Sequence, residues 1–101
     1  MTERALDAAR AGGRHAGWLK RYGQLPSHLI EKAVRSLDKQ IERHSQWVAH
    51  PHTKLPRSYP AEGVRALVSR KWPMDIARLQ EQRDILMVLL QERASHEEKQ
   101  R

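Results

Sequence analysis

The chain has 101 residues, a formal net charge of +7, a mean hydropathy of −0.82 and neither cysteine nor phenylalanine. That length sets one domain with a small core of Leu, Ile, Val, Ala and Trp. The missing cysteines exclude disulfides and thiolate metal sites, and the longest apolar run, Ile85 to Leu90, is far short of a membrane span.

The charge is unevenly placed. Residues 1–75 hold 14 Lys/Arg against 7 Asp/Glu, whereas residues 76–101 hold 5 against 5. Net positive charge confined to one region is what a protein that contacts phosphates carries.

In chain order, residues 1–11 are Ala-rich and charged and read as a frayed or helical extension, ended by Gly12-Gly13. No apolar leader follows Met1, so no signal peptide is visible. His15 to Tyr22 is a short helix stopped by Gly23. Pro26-Ser27 opens the first long helix, with apolar residues at Ile30, Val34, Leu37, Ile41 and Val48 and His44 in the vacant seam position. Pro51 ends it. Residues 50–60 carry three prolines and read as an extended crossing loop. Pro60 starts a short helix through Val64, Leu67 and Val68. Trp72-Pro73 opens the last helix, with Ile76, Leu79, Leu86, Leu89 and Leu90 on its apolar face. The expected fold is all-α: an antiparallel hairpin of two long helices carrying one or two short ones, with the domain at 12–93 and a polar, fraying tail at 94–101.

Four groups of residues could carry chemistry. Arg14, His15, Trp18, Lys20, Arg21 and Tyr22 bring an imidazole, cations and two aromatics into one short stretch. Histidine can move the proton of an attacking or leaving oxygen, Lys or Arg can stabilise a phosphorane, and Trp or Tyr can stack on an unpaired base. The plainer alternative is that the aromatics fill the core and the cations are solvated. His44, on the apolar stripe, is by position more often a satisfied interior residue than a catalyst. His50-Pro51-His52 does not make a metal site, because imidazoles two apart across a proline rarely converge and no carboxylate completes the set; Lys54 and Arg57 beside them suit phosphate better. Arg70-Lys71-Trp72-Pro73-Met74-Asp75 sets a basic pair just before an expected helix N-terminus, a favourable place for an anion. Asp75 would sit in the first turn, where the helix dipole favours it. Gly-rich phosphate loops, His-Glu-x-x-His and nucleophile elbows are all absent.

Taken together, Gly13-Arg14-His15-Ala16-Gly17-Trp18-Leu19-Lys20-x-Tyr22, Ser36-Leu37-x-Lys39-Gln40-Ile41-x-x-His44 and Lys71-Trp72-Pro-x-Asp75-Ile76 with Gln82 resemble the C-terminal toxin region of bacterial polymorphic toxins of the Rhs/YD-repeat and contact-dependent-inhibition type. The likeness covers roughly residues 12–93. It implies interbacterial competition, delivery into a neighbouring cell, action in the bacterial cytoplasm and a cognate immunity protein. It nominates His15, Lys20, Tyr22, His44, Lys71 and Asp75.

The expected function is therefore a basic all-α toxin-like domain that binds nucleic acid, RNA favoured, and cleaves it without metal or cofactor. His15 would be the general acid or base, with Lys20, Tyr22 and His44 as further catalytic candidates. Arg14, Trp18, Arg21, Lys54, Arg57, Arg70, Lys71, Trp72 and Asp75 would bind substrate. The alternative is a non-enzymatic helical module that binds nucleic acid or an acidic protein, with a homodimer formed through the helix stripes. Action at a membrane is least favoured, since no long apolar face is present.

Overall fold

A computed structural model describes residues 4–99. Residues 1–3 of the N-terminal extension and 100–101 of the tail lie outside the described residues. The helices are α1 (Ala5–Arg10), α2 (Ala16–Tyr22), α3 (Ser27–Ala49), α4 (Ala61–Ala66) and α5 (Trp72–Lys99). A 3-10 turn covers Pro51–Thr53 and a π turn covers Leu67–Lys71. The described residues contain no strand, so the fold is all-α.

The two long helices run antiparallel. Trp47 near the end of α3 meets Trp72 at the start of α5, Asp38 pairs with Arg83 at mid-length, and Arg93 reaches back to Ser27. Ile30, Val34 and Leu37 of the α3 stripe bury against Leu79 and Leu86 of α5. Each such leucine or isoleucine contributes about 1.5–3 kcal/mol of transfer free energy. The stripes are thus consumed inside one chain. The exposed large apolar residues are Leu29, Tyr59 and Met74, and Leu29 and Met74 stand at opposite ends of the hairpin.

α5 has a second apolar face. Ile85 and Val88 pack on Leu6 and Ala9 of α1, with Leu6 fully buried. This explains the unbroken run from Ile85 to Leu90: a helix held between two others is apolar on more than one side. Instead of fraying, α1 is therefore a wall of the core. Its Arg10 forms a bidentate pair with Glu92. The tail continues the helix to Lys99.

Two segments differ from expectation. The proline-rich loop is built of turns rather than extended chain: Lys54 and Leu55 N–H both donate to the Pro51 carbonyl, Thr53 Oγ1 donates to the His50 carbonyl, and Tyr59 N–H donates to that of Pro56. Pro51 at the first position of a turn favours this, its φ being preset for helical backbone. At the far end, α4 runs through the π turn into α5 without a break, so Arg70 and Lys71 do not precede a free helix N-terminus. Trp72 N–H donates to the Leu67 carbonyl five residues back. Pro73 explains it: in a plain α-helix its ring would strike the Ser69 carbonyl, and the wider turn moves that carbonyl aside. The anion site expected from free N–H groups is absent there. Gly63 is tolerated in α4 because the Tyr59 ring lies where a side chain would be, 2.7 Å from an added Cβ.

Candidate nucleic-acid groove

A tight reversal between α1 and α2 places the first cluster. Gly12 adopts φ +88° and His15 φ 68°, a left-handed conformation that costs a non-glycine residue about 1 kcal/mol or more. What holds His15 there is Glu81 of α5. His15 Nε2 donates to Glu81 Oε2 at 2.8 Å, the same oxygen lies 3.0 Å from Arg14 Nε, and the imidazole is only 8% exposed. His15 also meets Trp18 edge-on, with centroids 6.4 Å apart.

Trp18 touches both core clusters and stacks at 4.8 Å on Tyr22. These two rings close one end of a groove of about 300 Å³ between α2, α3 and α5. Its walls are Ala33, Ser36, Leu37 and Gln40 from α3 and Arg78, Leu79 and Gln82 from α5.

The second cluster adjoins the other end, through Gln40 and Arg78. His44 Nδ1 donates to the Gln40 carbonyl at 2.7 Å. A carbonyl only accepts, so Nδ1 carries the proton and the neutral imidazole has its lone pair at Nε2. Nε2 faces Asp75 Oδ2 at 3.9 Å, too long for a hydrogen bond. Asp75 is itself held by Lys71 Nζ at 3.0 and 3.2 Å and by Arg78 Nη2 at 3.6 Å. Trp47 stacks on His44 at 4.6 Å, with the Lys54 ammonium 4.8 Å from its ring centre.

Charge on α3 is sorted by face. At about 100° per residue, Lys32, Lys39 and Arg43 fall in one strip beside the groove residues Ser36 and Gln40, with Arg35 next to it. Glu31, Asp38 and Glu42 fall on the far side. All seven charged residues are exposed. On α2, Lys20 and Arg21 are exposed and make no ion pair among the described residues. The groove is therefore flanked by cations on α3, with two more on the outer side of α2.

The sequence candidates thus divide. His15, Arg14, Trp18 and Tyr22 gather at one end, with Lys20 and Arg21 on the outer side of the same helix. His44, Lys71, Asp75 and Lys54 gather at the other. Arg57 and Arg70 are exposed and belong to neither group. Trp72, nominated for substrate contact, is 5% exposed against Trp47, so its ring is core and offers no open face. Sequence reasoning passed over Glu81, Gln40, Trp47, Arg78 and Gln82 as site residues. Three had a local signal: Gln40 and Trp47 stand four before and three after His44, and Arg78 three after Asp75, so each shares a helix face with its partner.

No three His, Asp or Glu side chains converge as a metal site among the described residues. No helix among them is long and apolar enough to cross a membrane. No protein-family model matches this chain, and neither a curated protein nor a solved structure shows detectable similarity to it.

Proposed function

We propose that this protein binds single-stranded RNA along the groove and cleaves it at the His44 end by metal-independent acid–base chemistry. The observation that supports this most directly is the state of His44. Its Nδ1 is committed to a backbone carbonyl, its Nε2 is unprotonated when neutral, and the Asp75 carboxylate stands 3.9 Å from that nitrogen. Lys71 and Arg78, both on Asp75, bring positive charge to the same spot. Aromatic rings and flanking cations are the usual means of holding an unpaired strand.

In the reaction, His44 Nε2 takes the proton of a ribose 2′-hydroxyl as that oxygen attacks the adjacent phosphorus. Lys71 and Arg78 offset the extra negative charge on the phosphorane. The P–O5′ bond breaks, the leaving oxygen takes a proton from water, and the hydroxide left behind is neutralised by the proton that His44 Nε2 gives back to solvent. The products are a 2′,3′-cyclic phosphate and a 5′-hydroxyl. DNA lacks the nucleophile and is not cut. His15 Nε2 is occupied by Glu81 and the ring is nearly closed to solvent, which favours an anchoring role for it and the proton-transfer role for His44.

Delivery into a neighbouring bacterium, a target in its cytoplasm and an immunity protein belong to this reading through the resemblance to polymorphic toxins. The test is incubation with total bacterial RNA and with plasmid DNA, in EDTA and without. RNA fragments that form in EDTA, and that fail to form with His44→Ala, support the reading. RNA that shifts on a gel but stays intact overturns cleavage and leaves a binding module. Neither shift nor cleavage overturns both and leaves the basic rim to an acidic protein.

A further inference from the structure

The closed end of the groove is built differently from its cationic rim. Trp18 and Tyr22 form an aromatic wall, Leu37 and Leu79 line the floor, and Ser36, Gln40 and Gln82 supply neutral polar groups. About 300 Å³ is at the small end of ligand pockets. It suits one planar ring with its sugar, not a duplex or a folded peptide.

The two glutamines are not equivalent. Gln40 Nε2 donates to Ser36 Oγ at 3.3 Å. Gln82, half-buried beside Leu79 and Arg78, makes no side-chain hydrogen bond among the described residues. An amide set in a partly apolar wall without a partner is an unused donor and acceptor, side by side. Such a pair matches the N6–H2 donor and N7 acceptor of adenine with two hydrogen bonds; unpaired uracil offers a like pattern at N3–H and O4, but the larger purine covers more of the Trp18–Tyr22 wall. A phosphate offers only acceptors and would leave the amide oxygen unmatched.

We infer that the Trp18–Tyr22 end of the groove is a nucleobase pocket that takes one unpaired adenine, with the base against the aromatic wall and its N6/N7 edge on Gln82. Arg78, at the boundary between pocket and His44 cluster, lies where the attached phosphate would leave. This rests on the reading that the groove takes RNA, and it adds that cleavage falls next to an unpaired adenine.

The experiment is a nitrogen-15 NMR titration with adenosine 5′-monophosphate, run beside ribose 5-phosphate and uridine 5′-monophosphate. The expected result is movement of the Trp18 indole N–H and the Gln82 side-chain amide with the adenine nucleotide, weaker movement with the uridine one, and none at these groups with ribose 5-phosphate. Equal movement with all three, or movement confined to Arg78, overturns the pocket in favour of a bare phosphate site. Gln82→Met keeps the side chain's length and should cut the adenine-over-uridine preference about tenfold while the dispersed spectrum persists; an unchanged preference also overturns it. A separate arm with an adenine-containing RNA oligonucleotide isolates the underlying reading. Mononucleotide binding without oligonucleotide binding or cleavage sinks the RNA reading alone, and cleavage indifferent to adenine sinks the pocket alone.

Discussion

His44 and Asp75 meet at 3.9 Å across the two long helices, one contributed by the last third of α3 and the other by the first turn of α5. The Gln40 carbonyl fixes the ring of one, and Lys71 with Arg78 fixes the carboxylate of the other. On the proposed chemistry, His44→Ala should lower RNA cleavage about 100- to 10,000-fold, the range for losing a positioned general base. Asp75→Asn should lower it less, because Lys71 and Arg78 lose the carboxylate that positions them beside His44. Single-turnover cleavage with labelled RNA reads both, with far-UV circular dichroism checking that the helices persist.

His15 should behave in the opposite way. Its replacement removes the bond to Glu81 and leaves a residue at φ 68°, so His15→Ala should destabilise by about 2 kcal/mol. His15→Gly, free at that φ, should cost about 1 kcal/mol less than alanine. Urea titrations give both values. A stable His15→Ala protein that no longer cuts RNA would return the catalytic role to His15.

Arg93 ties the turn between α2 and α3 to α5. Its Nη1 donates to the Leu25 carbonyl at 2.8 Å and to Ser27 Oγ at 3.2 Å, and its Nη2 donates to the Gly23 carbonyl at 2.7 Å. Arg93→Ala should cost about 2–3 kcal/mol in a urea titration. Arg93→Lys should recover only a small part of it, since an ammonium cannot present two nitrogens to two carbonyls.

Leu6 is the test of whether α1 belongs to the domain. It is fully buried on Ile85 and Val88. Leu6→Ala should cost about 2–5 kcal/mol and lower the melting temperature, whereas a peripheral helix would give almost no change.

Acid sensitivity follows from Arg10 and Glu92. Hydrogen bonds from the Arg10 guanidinium hold the Glu92 carboxyl below its ordinary 4.5. A carboxyl that ionises more readily when folded adds stability above its unfolded value and loses it as pH falls through the lower folded one. Both side chains are 40–46% exposed, so solvent screening keeps the effect to about 0.5 kcal/mol. The native protein should exceed Glu92→Gln by that amount at neutral pH and converge with it as pH falls through the lowered folded value, measured by urea titration at each pH.

How much of this could be read from the sequence depends on whether the signal was local. The α3 stripe was, and Ile30, Val34 and Leu37 are buried as their spacing requires. The role of Ile85 and Val88 was not, because an all-round apolar segment does not say which neighbour covers which side. Pro73 marked a boundary, yet a proline near a helix start and a proline after a π turn look alike in one dimension. The residues at both ends of the groove were visible by type. Their sorting into two groups was not, since it depends on which turn of α5 lies opposite which turn of α3. Glu81, which decides the state of His15, stands far from it in sequence and announces itself by nothing.

The π turn has a mechanical consequence. Because Leu67–Lys71 carries the helical backbone from α4 into α5 unbroken, the proline-rich arm and Tyr59 are geared to the same rod that bears Lys71, Asp75 and Arg78. A twist applied at the arm is transmitted to that carboxylate as rotation, where a loop would have absorbed it. Removing one residue from the turn would re-index α4 by about 100° against a fixed α5, leaving His44 and Asp75 in place and moving the arm, with Lys54, relative to them.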